Sequence, residues 1–532
     1  MTRPAATAVA PDDIDVRARR HIRMSAKGGG FLAGGSFFEL AARFAIAFIL
    51  ARAVGATGYG LYNLAISAGA MFTGVATLGL DVAMVRYIAI QARRGDRISL
   101  WGTLQIGIGV SLVCSVVVSA VMYAGAGVIA VGLFDEPRLS ALLRVMALIV
   151  PFMTLSNVLA AVAKGFKRMD YAAFAENVVM SLARVVLLAA LMSSGLDVFT
   201  AVVVYGVSDV AASVVLLVLL NREIPLHGLF RRHTRREYRE VFAFALPLWM
   251  SGLLLRFRKN METLLLGALS VAANVGLFAI VTRINLFGHV IYQAIVAAVK
   301  PVLAELNSRG QQAELAAVYR ASTRWTLMFN IPFFLVMVLY PEPLLAVFGA
   351  SFTAGASAMV VLAFAELANS ATGTCGSIID MTGHTRIKLV NSVAWLALLF
   401  SSNVVLVPRW GVLGAAVAAL VSTTVINLAR IVEVWVLERV QPYDRTFAKP
   451  VAAGLAAYGT GMALRTWGPA VDSMLVAGVY AVIITAVYTG ASHLLGVAPE
   501  DRDIIGRGLR TVARTLRRAR SWRPRATTAG SP

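Results

Sequence analysis

Charged residues are scarce in this chain: only 14% of its 532 residues are Asp, Glu, Lys or Arg. Soluble proteins are roughly a quarter charged, so a soluble enzyme and a disordered scaffold are both excluded. Cysteine is nearly absent. The two present, Cys114 and Cys375, sit inside apolar runs, which leaves no disulfide framework or zinc cluster to build. Acids are the scarcer sign, 28 against 49 basic residues, for a net charge of +21. What the chain does have is hydrophobicity: 58% apolar residues and a mean hydropathy of +0.74. On such a chain a basic excess reports cytoplasmic loops and the anionic leaflet they face, not nucleic acid. The composition is that of a polytopic membrane protein.

A bilayer core of about 30 Å needs roughly 20 apolar residues per helix. Fourteen such runs are found: 30–53, 58–85, 100–124, 139–163, 174–194, 198–220, 241–268, 272–298, 323–348, 354–379, 387–407, 411–437, 449–466 and 472–496. Strand-period alternation is missing, which argues against an outer-membrane barrel. The expected fold is therefore an all-α integral membrane protein. It divides into a cytoplasmic tail (1–28), a first six-helix lobe (29–220), a second (241–437), two extra helices (449–496) and a basic cytoplasmic tail (497–532). Segments on one side carry 37 of the 49 basic residues, whereas the other side has Arg52, Arg138, Arg144, Arg409 and Arg465. That bias places both termini in the cytoplasm. No apolar stretch precedes Phe31, so the first span is expected to serve as an uncleaved targeting signal. The loops are too short for an appended catalytic domain. The residues form no nucleophile–base constellation and no metal-ligand cluster, so neither an enzyme nor a cofactor is expected.

Two stretches echo each other. Gly60-Leu61-Tyr62 matches Gly276-Leu277-Phe278 at an offset of 216, and Gly195 matches Gly411 at the same offset. Gly165-Phe166-Lys167-Arg168 matches Gly383-His384-Thr385-Arg386 at 218. With equal helix counts between them, these matches predict a six-plus-six duplication with parallel repeats.

The segment Ala51-Arg52-Ala53-Val54-Gly55-Ala56-Thr57-Gly58-Tyr59-Gly60-Leu61-Tyr62 resembles the first loop of polysaccharide-export flippases. Leu246-Pro247-Leu248-Trp249-Met250-Ser251, followed by Glu262-Thr263-Leu264-Leu265-Leu266-Gly267, is similar to their seventh helix, with Glu262 where Asp is usual. Gly411-Val412-Leu413-Gly414-Ala415-Ala416 resembles their entry to helix twelve. The resemblance covers about residues 25–440. It implies the multidrug/oligosaccharidyl-lipid/polysaccharide exporter (MOP) superfamily: two six-helix lobes around a central cavity, working by alternating access in the inner membrane. The implied partners are a lipid-linked oligosaccharide and polysaccharide polymerisation machinery.

Seven basic residues fall inside spans: Arg43, Arg184, Arg256, Arg258, Lys259, Arg283 and Arg430. Each costs about 2.5–3.5 kcal/mol at the bilayer centre and needs a reason to be there. At a rise of about 1.5 Å per residue, Arg43, Arg184 and Arg256 lie roughly 15–22 Å from the cytoplasmic side, and Arg283 about 16 Å from the outer side. Four arginines from four helices thus converge near midplane and are the candidate substrate-binding residues. Glu39–Arg43 and Arg258–Glu262 are spaced i,i+4 and could neutralise each other. Arg184 and Arg283 have no acid within four residues on their own helices, which favours a ligand-facing role. Arg430, beside Glu433, is expected to snorkel to the interface, while Lys259 could face the outer vestibule. Guanidinium groups stay protonated and bind phosphate oxygens bidentately, which suits a pyrophosphate crossing the low-dielectric core. Glu39, Glu262 and Glu366 are candidates for ion coupling or for structural pairing. His289 reads as a packed or hydrogen-bonded histidine. Pro151, Pro247 and Pro332 read as hinges or as static kinks.

From Asp503 the apolar residues Ile504, Ile505, Leu509, Val512 and Leu516 alternate with arginines at helical spacing. This predicts a basic helix lying on anionic lipids; RNA binding is the other reading. The function expected is a flippase for a polyprenyl-pyrophosphate-linked oligosaccharide, the alternatives being a peptidoglycan-precursor flippase or a multidrug cation antiporter. A membrane-embedded glycosyltransferase would need a large outer loop with catalytic acids, and none is long enough. The topology is checked by reporter fusions: those after Arg94 and Arg236 should read cytoplasmic, and those after Val271 and Arg409 external. One reversed result overturns it.

Overall fold

A computed structural model describes residues 11–225, 228, 234, 237–469, 471 and 474–496, with side chains from residue 38 onward except residue 474. The side chains of the 1–28 tail, much of the 222–239 loop and the basic helix expected from Asp503 lie outside the described residues. Helices follow one another as α1 (Pro11–Thr77), α2 (Leu80–Arg94), α3 (Arg97–Val128), α4 (Arg138–Gly165), α5 (Met169–Ala173), α6 (Met180–Leu191), α7 (Val198–Glu223) and α8 (Tyr238–Leu269). Then come α9 (Ala272–Ser308), α10 (Gln312–Leu339), α11 (Pro341–Ala346), α12 (Ala356–Thr372), α13 (Cys375–Met381), α14 (Thr385–Glu438), α15 (Ala448–Trp467) and α16 (Met474–Leu494). A π-helical turn, Phe174–Val179, joins α5 to α6 and makes one continuous span of them.

Among the described residues, eleven helices are long and apolar enough to cross a membrane. The protein is an all-α, multi-pass membrane protein. Two of the eleven contain a break where the apolar runs are interrupted: Gly55 in α1 (φ 66°, ψ −174°) and Gly411 in α14 (φ 54°, ψ −126°). A side chain would be strained at either backbone conformation, and glycine adopts both freely. α15 is not among the eleven; three glycines, Lys449 and Arg465 dilute its hydropathy. Left-handed residues recur along the chain: Gly95, Lys167 and Gly195, then Gly310, Gly383 and Gly411. Helix starts are fixed by side chains in two loops. Asp96 accepts from the Ser99 amide at 3.1 Å and Asp197 from the Thr200 amide at 2.9 Å. These bonds from Thr200 hold the exposed Asp197 carboxyl below the usual carboxylate range.

Contacts divide the chain into two units. The first comprises residues up to Leu286 with Leu344–Leu362 and Ser392–Ser422; the second comprises Phe287–Pro343, Ala363–Asn391 and the chain from Thr423. In the first, α2, α3, α4 and α7 pack around Met84, Ile88, Leu104, Leu159 and Leu216. In the second, α10, α15 and α16 meet at Leu335, Ala453, Ala457, Tyr480 and Ile484. Lipid tails are as apolar as leucine, so these helices associate through close packing and small residues, not through hydrophobic exclusion. The tightest approach is reciprocal. The bare α-carbon of Gly60 faces the Ala272 carbonyl and the Gly276 amide, while that of Gly276 faces the Ala56 carbonyl and the Gly60 amide.

A Gly60→Ala variant should lower the thermal unfolding midpoint in detergent by the equivalent of about 1–3 kcal/mol, the usual cost of overpacking. Gly109→Ala, where a Cβ meets nothing within 4 Å, should leave it unchanged. Equal midpoints for the two variants would contradict the packing argument.

Candidate functional site

A cavity of about 980 Å³ opens within the first unit, among α1, α2, α6 with its π turn, α7, α8 and α9. Ligand pockets usually measure about 300–1,000 Å³, so this one suits a large substrate. Arg43, Arg184, Arg256 and Arg283, the four arginines expected near midplane, all line it, with Glu39, Asp81, Glu176, Lys259 and Glu262. Glycines shape the wall. The missing side chain of Gly74 makes room for the aliphatic stem of Arg256, and the Gly74 carbonyl accepts the Trp249 indole N–H at 2.9 Å.

Most of these charges are already matched. Glu39 pairs with Arg43 as the i,i+4 spacing predicts. Arg256 Nη2 lies 3.6 Å from Asp81 Oδ2, and Lys164 Nζ 3.3 Å from Glu176 Oε2. Arg184 is the most tightly held. Its Nη2 donates to Asp209 Oδ2 at 2.8 Å, and its guanidinium lies 3.8 Å from the ring centroid of Tyr205. Asp209 and Tyr205 stand one turn apart on α7, so one face of that helix supplies both the countercharge and the π surface. The expectation that Arg184 lacks a neutralising partner is therefore corrected: no acid stands within four residues on its own helix, but the neighbouring helix provides one. The signal that finds it is the i,i+4 pair Tyr205/Asp209, two guanidinium-binding groups on an apolar span.

The Arg258–Glu262 pair does not form. Arg258 lies 5.5 Å from the Trp395 ring instead, and Glu262 faces the cavity. Three charged groups on the wall make no ion pair or hydrogen bond among the described residues: Arg283, Lys259 and Glu262. Two cations against one carboxylate leave the cavity less positive than four converging arginines imply, and among the described residues its only uncommitted guanidinium is that of Arg283.

Glu366 is not in this cavity. It belongs to the second unit, where its Oε2 lies 3.5 Å from His289 Nδ1. Arg430 does not pair with Glu433 either; its Nη1 donates to Asn427 Oδ1 at 3.1 Å, while Asn391 donates to Glu433 at 2.6 Å. His289 is hydrogen-bonded, as expected, through a 3.1 Å contact with Gln293 Nε2. No group of three or more His, Cys, Asp or Glu side chains able to hold a metal occurs among the described residues.

Comparison with solved structures finds the same fold elsewhere. The fold is similar to that of the lipid II flippase MurJ in an inward closed conformation, with a TM-score of 0.67 at 12% identity over 89% of this chain and 99% of that one. It is also similar to an inward-facing MATE-family multidrug resistance transporter of the MOP superfamily, with a TM-score of 0.59 at 15% identity over 75% and 94%. Both likenesses show the fold: a multi-span helical bundle shared with these two transporters. The family profile described as "Polysaccharide biosynthesis protein" matches residues 25–307, more than half of the chain. The chain belongs to that family. A curated relative, the probable low-salt glycan biosynthesis flippase Agl15 of Haloferax volcanii, is 24% identical over 170 residues, or 32% of this chain and 36% of the relative.

Removing one partner of a buried ion pair costs about 3–5 kcal/mol, because the other charge is left uncompensated. Asp209→Ala should therefore reduce the membrane-inserted, monodisperse protein more than Arg184→Ala/Asp209→Ala does. Quantitative fluorescence-detected size exclusion measures both. A double variant worse than the single one would show that the pair is not what holds these residues.

Proposed function

We propose that the protein flips a polyprenyl-pyrophosphate-linked oligosaccharide across the cytoplasmic membrane, with both termini in the cytoplasm and the cavity as the compartment that carries the head group. One observation carries this reading: the wall keeps a single uncommitted guanidinium, Arg283, while its other arginines are matched by acids. A pyrophosphate diester, with one negative charge on each phosphate, brought to Arg283 and to Lys259 as the second free cation replaces an unpaired charge by a charge-assisted, two-pronged contact. Arg43, Arg184 and Arg256 then act as a paired lining that can exchange a carboxylate partner for a phosphate oxygen. The family match and the glycan-flippase relative support the substrate class.

A second reading, a peptidoglycan-precursor flippase, is supported by the fold likeness that covers nearly all of the chain. It uses the same phosphate chemistry and differs only in the sugar. A multidrug cation antiporter is the poorer fit, since among the described lining residues Glu262 is the one free acid against two free cations.

The proposed architecture is a six-plus-six duplication followed by two further spans, fourteen in all. Its support is conformational: Lys167 and Gly383, and Gly195 and Gly411, are left-handed pairs at a separation of 216 residues, and Gly95 and Gly310 at 215. Proposed partners are anionic lipids at the basic tail and the machinery that polymerises the exported glycan.

Arg283→Ala should abolish surface glycan in a complementation assay at normal protein level. Arg283→Lys should restore it only in part, because an ammonium keeps the charge and loses the bidentate geometry. The lipid-linked glycan that accumulates on the cytoplasmic face on depletion separates the two readings. Full activity of Arg283→Ala would sink both.

A further inference from the structure

Glu262 is the charged lining group that the flippase reading leaves without a task. Its neighbours among the free charges of the wall are both cations, yet it makes no ion pair or hydrogen bond among the described residues. An acid beside a pair of anion-binding cations weakens their hold on the anion, and keeping it unpaired in the membrane interior adds a further cost. The cavity gains from it only through a ligand that donates hydrogen bonds.

Helix register indicates where that ligand would lie. α8 ends at Leu269 and α9 begins at Ala272, so the two run antiparallel from one short turn. Lys259 stands ten residues before that end and Arg283 eleven residues after that start. At the rise of an α-helix both are about 15–16 Å from the turn, which puts the two free cations at one level. Glu262 is three residues nearer the turn than Lys259, or about 4.5 Å, and is level with Phe278 and Ala279 of α9.

The first helix reaches the same level. α1 crosses α9 where Gly60 meets Gly276, and two and three residues further on it presents Tyr62 and Asn63 to the cavity. The rings of Tyr59 and Tyr62 stack with centroids 6.2 Å apart and planes 19° from parallel. Asn63 Nδ2 donates to the Tyr59 carbonyl at 2.7 Å, which ties its carboxamide to that turn of α1. The wall therefore carries two groupings, one helical turn apart. Arg283 and Lys259 make the first; Glu262, Asn63, Tyr62 and Phe278 make the second.

The second grouping has the chemistry of a sugar subsite. A pyranose ring lays its apolar C–H face on an aromatic ring and turns its hydroxyls outward. A carboxylate is an acceptor-only group with two oxygens, so adjacent hydroxyls can donate to both. A separation of one turn from the cations is about the step from a phosphate to the ring it carries. Acidic sugars fit differently: a carboxylate at C6 would meet Glu262 with like charge and no hydrogen to donate.

We propose that Glu262 selects the sugar joined directly to the pyrophosphate, accepting an uncharged, hydroxyl-bearing ring and rejecting a uronic acid. This rests on the flippase reading and adds to it a division of labour: Arg283 and Lys259 hold what every such head group has, and Glu262 reads what differs between them.

Two short-chain polyprenyl diphosphates, one carrying glucose and the other glucuronic acid, test this by their binding to the purified full-length protein in detergent. The wild type should hold the glucosyl compound about tenfold more tightly or better. Glu262→Gln, which keeps an acceptor and removes the charge, should bring the two affinities together, chiefly by tighter binding of the glucuronosyl compound. Glu262→Ala serves in its place if that variant is not monodisperse. Glu262→Asp should keep the preference, a result that a merely structural role for this acid does not require. Arg283→Ala should weaken both compounds and leave their ratio unchanged. Equal affinities in the wild type, or a preference that survives loss of the charge, overturn the proposal and leave the flippase reading standing. Binding of neither compound, or binding indifferent to Arg283→Ala, overturns that reading and this inference with it.

Discussion

An ionised side chain cannot be left uncompensated in hydrocarbon, and the interior of this protein is organised by that cost. Apolar packing alone would not choose one helix rotation over another, since lipid and leucine are equivalent neighbours. The ion pairs do choose. Arg184 and Asp209 fix how α6 and α7 face each other, Arg256 and Asp81 tie α8 to α2, and the close approach at Gly74 follows from the room that Arg256 and Trp249 require. Where pairing stops, as at Arg283, the cavity wall carries a charge with no ion-pair partner among the described residues.

The same constraint explains how much could be read from the chain. Span positions were legible because apolar runs end at residues with an evident reason to end them: Gly55 and Gly411 break their helices where the runs were interrupted, and Asp197 caps α7 after Gly195. The grouping of charges was legible too. Counting the rise per residue singled out Arg43, Arg184, Arg256 and Arg283, and these four line one cavity. Rotation about the helix axis was not, because it depends on a neighbour that a single helix does not display. That is why Glu39–Arg43, within one helix, was foreseen, whereas Asp209 as partner of Arg184 was not. It is also why Glu366 could be counted among the candidate acids while its place beside His289, outside the cavity, stayed hidden. The π turn at Phe174–Val179, which carries cavity-lining Glu176, has no hydrophobic signature at all.

Matched pairs within a binding wall also have an energetic merit. A cavity of bare arginines would be destabilised by mutual repulsion whenever it was empty, and would hold an anion too firmly to let it go. Under the proposed function, arginines that fall back on a carboxylate when the anion departs would avoid both difficulties. Tyr205 serves the same end for Arg184, since a ring face holds the guanidinium plane without competing for its in-plane donors.

The reciprocal contact of Gly60 and Gly276 bears on how these two positions can vary. Each presents bare backbone to the other's helix, so a methyl group at either one pushes the same two helices apart. Once they have separated, a second methyl group on the opposite side finds space already made. Alanine at both positions should therefore cost less than the sum of the two single changes, the non-additivity characteristic of neighbours that share one gap. The two glycines behave as a single genetic unit: the first loss is the harmful one, and after it little keeps the second in place.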